Sequence, residues 1–302
     1  MSSDMPSDTP SDTPSDPQPP FAPRYALCQE LLADRDFAAQ CETIARVGYD
    51  GIEIAPFTLV PPGVDPTTLD DAARGQIHRT IEDHGLDCVG LHWLLAKTEA
   101  FDTFHLTTDE PTVRARTAAY LQRLAGLCRD LGGGVLVFGS PQQRSLPPGV
   151  TPDQADEHAL EVLGQLVPTL EATDTVLALE PLGPAETDYL NSCGHAAGLI
   201  ERLGSEHVRL HQDVKAMLAE PDGDPLPELI ARHAGITAHF HANDRNLQGP
   251  GMGEVDFEPI LAALKASGYA GSISVEVFDY SPGPDVIAER SLAYLQQVAA
   301  RV

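Results

Sequence analysis

The sequence predicts a single-domain α/β protein, a (β/α)8 barrel of the TIM type. Its 302 residues, 42% of them hydrophobic, suit one large barrel with a sizeable core. Short apolar runs alternate with amphipathic segments, which is typical of βα units around a parallel sheet. The apolar runs number eight, as a closed barrel requires. Since a count of strands cannot show closure, a doubly wound open sheet is the alternative.

Each predicted strand is a short apolar run bounded by polar or turn residues. In order, the strands cover residues 25–29, 50–56, 88–94, 134–140, 176–182, 208–214, 236–244 and 272–279. Helical patterns follow at 37–48, 113–132, 157–172, 196–204, 257–268 and 286–302. Glycines are expected just past the ends of helices, where a left-handed backbone is favoured, at Gly48, Gly85, Gly204 and Gly268. Asp256 is expected near the start of the helix over 257–268.

The first 22 residues have a different composition from the rest. They repeat a Pro-Ser-Asp-Thr unit with almost no apolar surface to bury. The sequence therefore predicts a disordered acidic tail over residues 1–22 and a barrel over 23–302.

Charge and cysteine content restrict the partners. A formal net charge of -26 without basic clusters argues against nucleic acid. The five cysteines are widely spaced and form no Cys-x-x-Cys pair, which fits reduced thiols. Neither a membrane-spanning run nor a signal peptide is evident. We expect a soluble cytoplasmic protein that acts on a small molecule, with no nucleic-acid or membrane partner; assembly as a homo-oligomer is left open.

Polar residues mark the carboxyl ends of six predicted strands, where a barrel carries its active site. They are Glu53, His92, Glu180, Asp213, His241 and Glu276. Several buried carboxylates at one rim need a positive charge among them, which a divalent cation supplies. The three carboxylates and one imidazole on the last four strands favour Mn²⁺, with Mg²⁺, Co²⁺ and Zn²⁺ as alternatives.

The two histidines of the seventh strand have different expected roles. Side chains alternate along a strand, so His239 and His241 point to the same interior, one layer apart. His241 is nearer the rim and is the predicted ligand, while His239 is expected to support it from below. The same alternation puts His211 beneath Asp213.

Five stretches resemble the xylose isomerase-like barrel superfamily of sugar isomerases and epimerases, and most of all the ketose 3-epimerases. They are GYDGIEIAPF, LEPLGPAETDYLNS, HQDVKAM, HFHANDRN with GPGMGEVDF, and GYAGSISVEVFDY. The resemblance implies that Glu180, Asp213, His241 and Glu276, which are 33, 28 and 35 residues apart, hold one divalent metal. It also implies that Glu180 and Glu276 act as acid and base.

The chemistry implied is proton transfer through an enediolate. A metal that polarises a carbonyl and its neighbouring hydroxyl acidifies the C–H between them. Returning the proton to the same carbon on the other face gives an epimerase, and delivering it to the adjacent carbon gives an aldose-ketose isomerase. A lyase or hydratase acting on a 3-keto sugar or keto-glycoside is the main alternative. A non-catalytic sugar-binding barrel is a weaker one, because none of the four ligands is missing.

The residues expected to bind substrate agree only in part with the resemblance. Glu186 matches an acid that helps to bind sugar in the ketose 3-epimerases, and His92 and Glu53 are expected to contact hydroxyls. Ala216 and Leu247 stand where those enzymes carry a histidine and an arginine. Lys215 and Arg245 are therefore candidates for substrate contacts specific to this chain.

Overall fold

The fold is a closed eight-stranded barrel, described for residues 21–302 by a computed structural model. The strands run in parallel in the order β1 to β8, and β8 pairs with β1 through Tyr25 and Ile273. The closed barrel is thus confirmed, and the open-sheet alternative is wrong. The predicted acidic tail over 1–22 lies almost wholly outside the described residues.

The strands and helices alternate along the chain, with one additional short helix after β6. The strands are β1 Arg24–Cys28, β2 Gly51–Ile54, β3 Asp87–Leu91, β4 Val135–Phe138, β5 Val176–Leu179, β6 Val208–Asp213, β7 Thr237–Ala242 and β8 Ser272–Val275. The helices are α1 Phe37–Val47, α2 Asp71–Asp83, α3 Pro111–Asp130, α4 Pro152–Thr173, α5 Cys193–Leu203, α6 Val214–Met217, α7 Leu226–His233, α8 Glu258–Ser267 and α9 Pro284–Ala299. Turns of 3-10 helix lie at Gln29–Leu32, Pro56–Leu59, Pro66–Thr68 and Ala234–Ile236.

Most predicted strands are longer at their carboxyl ends than the observed ones. β5 ends at Leu179 and β8 at Val275, each one residue before a glutamate that was expected to end the strand. The N–H groups of Glu180 and Glu276 still donate to the neighbouring strands, to Phe138 O at 3.2 Å and to Ala242 O at 3.4 Å. The apolar residues between them pack under the helices as one continuous core.

The ends of the helices follow the local sequence. Asp36 accepts a hydrogen bond from the Ala39 N–H at the start of α1, and Gly48 ends that helix with a φ of 105°. Left-handed glycines also follow α2, α5 and α8, as predicted. Asp256 accepts from the Glu258 N–H at the first residue of α8. Helices α2 and α7 complete the ring and were not among the predicted helices. Their apolar patterns are weak in the sequence, because α2 has one fully buried residue and α7 is only eight residues long.

On the outside of the barrel, the chain entering the first helix, α1, is joined to the last helix, α9, by an ion pair. Arg35, just before α1, donates to both carboxylate oxygens of Asp285 in α9, at 3.1 and 2.6 Å. Within residues 21–302, all five cysteines are free thiols. In the same residues, no helix combines the length and the apolar character needed to cross a membrane.

Candidate functional site

The polar residues predicted at the strand ends meet at the carboxyl-terminal mouth of the barrel. All six are buried, with at most 5% of the surface exposed: Glu53, His92, Glu180, Asp213, His241 and Glu276. Each lies within one residue of the end of a short strand whose alternate residues pack outward against helices, which directs the polar side chain inward. The barrel therefore concentrates ionisable groups in a small volume that water hardly reaches.

Four side chains at this mouth lie close enough to share a metal ion. Glu180, His211, Asp213 and His241 each offer one ligand atom, and these atoms all lie within 4.8 Å of one another. Three of them are predicted ligands, and the fourth, His211, is the residue expected beneath Asp213. The remaining predicted ligand, Glu276, places its Oε2 3.1 Å from His241 Nδ1. That separation suits neighbouring ligands of an octahedral ion, which are about 3 Å apart.

Glu53 lies behind the histidines rather than at the rim. Its Oε2 accepts from His239 Nε2 at 2.7 Å, and its Oε1 accepts from His241 Nε2 at 2.9 Å. Both oxygens are thus occupied, and the side chain is 1% exposed. Its carboxylate turns the opposite nitrogen of His241 towards Glu276. A carboxylate that fixes a ligating histidine in this way is a common companion of metal sites. The expected contact of Glu53 with substrate stays a prediction.

His92 is also deeper than predicted. It is fully buried, and its Nε2 lies 2.9 Å from Glu30 Oε2. Burial alone would lower the pKa of His92, but Cys28 and Glu30 beside it raise that pKa well above its usual value. In this position His92 contacts Glu30, and its expected contact with a substrate hydroxyl stays a prediction. Sequence reasoning missed Glu30. The available signal was its place, with Gln29, directly after the apolar first strand, where side chains are buried.

The two lower histidines differ in their contacts. His239 contacts Glu53 and lies 3.3 Å from Ser274 Oγ, as expected of a supporting residue. His211 lies abreast of His239, as Asp213 lies abreast of His241. Neither ring nitrogen of His211 has a hydrogen-bond partner among the described residues. Burial, together with His241 and His239, lowers the pKa of His211 well below its usual value, so its imidazole is neutral.

The two predicted catalytic glutamates have opposite proton affinities. Burial raises the pKa of Glu180 to about 8, and the nearby charges of Glu276 and Asp213 add to the effect. Burial also acts on Glu276, but His241 outweighs it and lowers the pKa of Glu276 below its usual value. Glu180 is therefore the weaker acid of the two and Glu276 the stronger. Pairs of titratable groups separated in this way are typical of acid-base catalysis.

Backbone contacts hold two of these carboxylates in place. The Glu180 side chain passes over Gly139, where a Cβ would overlap its carboxylate. Asp213 accepts from the Ala216 N–H at 2.7 Å and from the side chain of Asn243. Asn243 also accepts from the Lys215 N–H at 2.8 Å, which ties α6 to β7. Sequence reasoning missed Asn243, whose only signal was its place directly after the seventh strand.

Three predicted substrate residues surround one cavity beside the carboxylates. A cavity of about 390 Å³ is lined by Glu186, Lys215 and Arg245, with Leu247 and Phe278 among its apolar walls. Lys215 Nζ lies 2.7 Å from Glu186 Oε1 and 4.2 Å from the centre of the Phe278 ring. Burial opposes the charge on Lys215, but Asp213 and Glu186 keep the pKa of this amine above its usual value.

The comparisons with known proteins agree with this barrel fold. The family model of the xylose isomerase-like TIM barrel matches residues 41–298, from α1 to α9. The chain belongs to this family. An L-ribulose 3-epimerase of Mesorhizobium japonicum, one relative within the xylose isomerase-like barrels, is 32% identical over 78% of this chain and 74% of its own length. A 3-dehydro-D-guloside 4-epimerase of Escherichia coli is 28% identical over 58% of this chain and 69% of its own length.

A solved xylose isomerase-like barrel shows the same fold. The crystal structure of a D-psicose 3-epimerase in the presence of D-fructose has a TM-score of 0.79 and 20% sequence identity, and the match covers 92% of this chain and 99% of that one. The predicted resemblance to the ketose 3-epimerases is confirmed by these relatives. They also confirm the predicted enzyme class, since epimerases are isomerases.

Proposed function

We propose that the protein is a divalent-metal-dependent sugar epimerase in which Glu180 and Glu276 exchange protons with a carbon next to the substrate carbonyl. The observation that carries this proposal is a pair of buried carboxyl groups, Glu180 after β5 and Glu276 after β8, which lie on either side of Asp213 on β6 and His241 on β7. The named relatives, which are epimerases of ketoses and of a keto-glycoside, support it.

The donor set fits a divalent cation. Three buried carboxylates converge with only His241 and His211 between them, and such a group is stable when a positive ion neutralises it. His241 Nε2 is held by Glu53, which leaves Nδ1 to face Glu276. When bound, the cation would polarise the sugar carbonyl and the adjacent hydroxyl and so acidify the C–H between them. The oxygen-rich set favours Mn²⁺.

Proton transfer then falls to the two glutamates. Glu276, whose pKa is lowered, is ionised and removes the proton next to the carbonyl, which leaves an enediolate. Glu180, the glutamate whose pKa burial raises, supplies a proton to the same carbon from the other side. The carbon is inverted, Glu276 ends protonated and Glu180 ionised, and proton exchange with solvent restores both groups.

The substrate side of the site favours a neutral sugar. Lys215 is already paired with Glu186, so together they offer a donor and an acceptor to hydroxyl groups rather than a net positive charge. Arg245 is exposed at the edge of the same cavity and extends the donor set outward. We infer a ketose or a 3-keto glycoside as substrate. Because the relatives described above catalyse epimerisation, a lyase or hydratase is not favoured.

The test is deuterium incorporation from solvent. The protein with added Mn²⁺, offered ketoses and 3-keto glycosides in D₂O, should place deuterium at the carbon next to the carbonyl of its substrate. Glu180→Gln and Glu276→Gln should each abolish turnover to the epimer, while Glu171→Gln, an exposed change on α4, should not. Full activity after thorough chelation, or turnover by either active-site variant, would refute the proposal. Product analysis separates an epimer from an isomer or an elimination product.

A further inference from the structure

His211 is distinct among the histidines inside the barrel. It is fully buried, and neither of its ring nitrogens has a hydrogen-bond partner among residues 21–302. His239 and His241 are each bonded through Nε2 to Glu53. Buried polar side chains are nearly always paired, so an imidazole with two unpaired nitrogens points to a partner of another kind.

The register of the sheet brings His211 to the proposed metal. Leu179 of β5 pairs with Leu210 of β6, which sets Glu180 abreast of His211, below the level of Asp213. His211 Nε2 lies 4.0 Å from Glu180 Oε1, too far for a hydrogen bond. Ligands on opposite sides of one ion are separated by about 4 to 4.6 Å, given metal–ligand distances of about 2.0 to 2.3 Å. The spacing is therefore that of two groups with an ion between them.

The His211 ring also faces the predicted histidine ligand. The ring centres of His211 and His241 are 4.1 Å apart, with planes at 75°. Ligand atoms of Glu180, Asp213 and His241 all lie within 4.8 Å of one on His211. Two imidazoles crossed in this way can aim nitrogens at a common point without clashing.

We propose that His211 is a direct ligand of the divalent metal, reaching it from the floor of the barrel beside Glu180, Asp213 and His241. The inference rests on the proposed function, which supplies the metal. A second imidazole nitrogen should shift the preference of the site from Mg²⁺ towards Co²⁺ and Zn²⁺, because imidazole suits those ions and Mg²⁺ prefers oxygen.

The first test compares metal affinity in two matched variants. His211→Leu removes both nitrogens at similar volume, and His233→Leu does the same to another buried histidine with an unpaired Nε2, on α7. Both metal-free variants and the unaltered protein are titrated calorimetrically with Co²⁺. Loss of an outer-shell partner weakens metal affinity by roughly 10- to 100-fold, and the affinity of His211→Leu for Co²⁺ should fall by more than that. His233→Leu should bind as the unaltered protein does. Unchanged affinity in His211→Leu would overturn the proposal.

The second test is decided by the unaltered protein, with His211→Leu as a comparison. Pulsed EPR on the unaltered protein loaded with Mn²⁺ should detect two directly coordinated imidazole nitrogens, and one in His211→Leu. A single nitrogen in the unaltered protein would overturn the role of His211 while leaving the proposed epimerase intact. Failure of the unaltered protein to bind Mn²⁺ or Co²⁺ would overturn both. If His211→Leu does not fold, the spectrum of the unaltered protein still decides.

Discussion

Replacing Glu53 with glutamine tests how the barrel orients His241, a proposed metal ligand. Glu53 accepts hydrogen bonds from His239 Nε2 at 2.7 Å and from His241 Nε2 at 2.9 Å, and it is 1% exposed. In Glu53→Gln one acceptor oxygen becomes an NH₂ donor. One histidine must then offer a lone pair at Nε2 and carry its proton on Nδ1. If that histidine is His241, the nitrogen facing Glu276 can no longer bind a cation.

This change of histidine tautomer sets the expected loss of metal affinity. Outer-shell carboxylates of this kind are worth about 10- to 100-fold in metal affinity, which is about 1.4 to 2.7 kcal/mol. Calorimetric titration of metal-free Glu53→Gln with Mn²⁺ should show a dissociation constant raised by that factor. Exchange of solvent deuterium into substrate should fall in parallel at limiting Mn²⁺ and recover in part at saturating Mn²⁺.

Glu30 supplies a matched control. It is also a buried carboxylate bonded to a histidine, His92, at 2.9 Å, but it does not contact His241. Glu30→Gln should therefore change Mn²⁺ affinity far less than Glu53→Gln does. Equal losses in both variants would show a general effect of the buried charge, and no loss in Glu53→Gln would refute the orienting role of Glu53.

Three further predictions concern the position of the Glu180 carboxylate, the cavity lined by Lys215 and Glu186, and an ion pair on the outer helices. Gly139→Ala should displace the Glu180 carboxylate, since a Cβ there overlaps it, and lower the deuterium-exchange rate by about 100-fold while circular dichroism stays unchanged. Lys215→Met removes the partner of Glu186 and should raise the KM for substrate about ten-fold with little change in kcat, as steady-state kinetics would show. The hydrogen bonds from Arg35 lower the pKa of Asp285 on α9. The ion pair therefore stabilises the fold above the ordinary aspartate pKa, and this stabilisation is lost as the pH falls through the lowered pKa. Asp285→Asn should thus cost at most about 1 kcal/mol in urea unfolding near neutral pH and almost nothing near pH 2 to 3.

The sequence alone predicted eight βα units and the rim of the site, while closure of the barrel was decided by the pairing of β8 with β1. Eight apolar runs separated by helical patterns predicted the barrel, because the periods of strands and helices are local properties of the chain. Polar residues at the ends of those runs marked Glu180, Asp213, His241 and Glu276, since alternation along a strand decides which side chains point inward. Their assignment as metal ligands stays a prediction that the measurements above can test.

Only the tertiary structure decided which of these groups contact one another. Glu53 and His241 are 188 residues apart, and the register and tilt of strands around a closed barrel bring them within 2.9 Å. The same geometry paired Glu53 with two histidines and His92 with Glu30, and it left both nitrogens of His211 without a hydrogen-bond partner among residues 21–302. Such contacts depend on how far each strand is shifted against its neighbour, and the residues along a single strand do not record that shift.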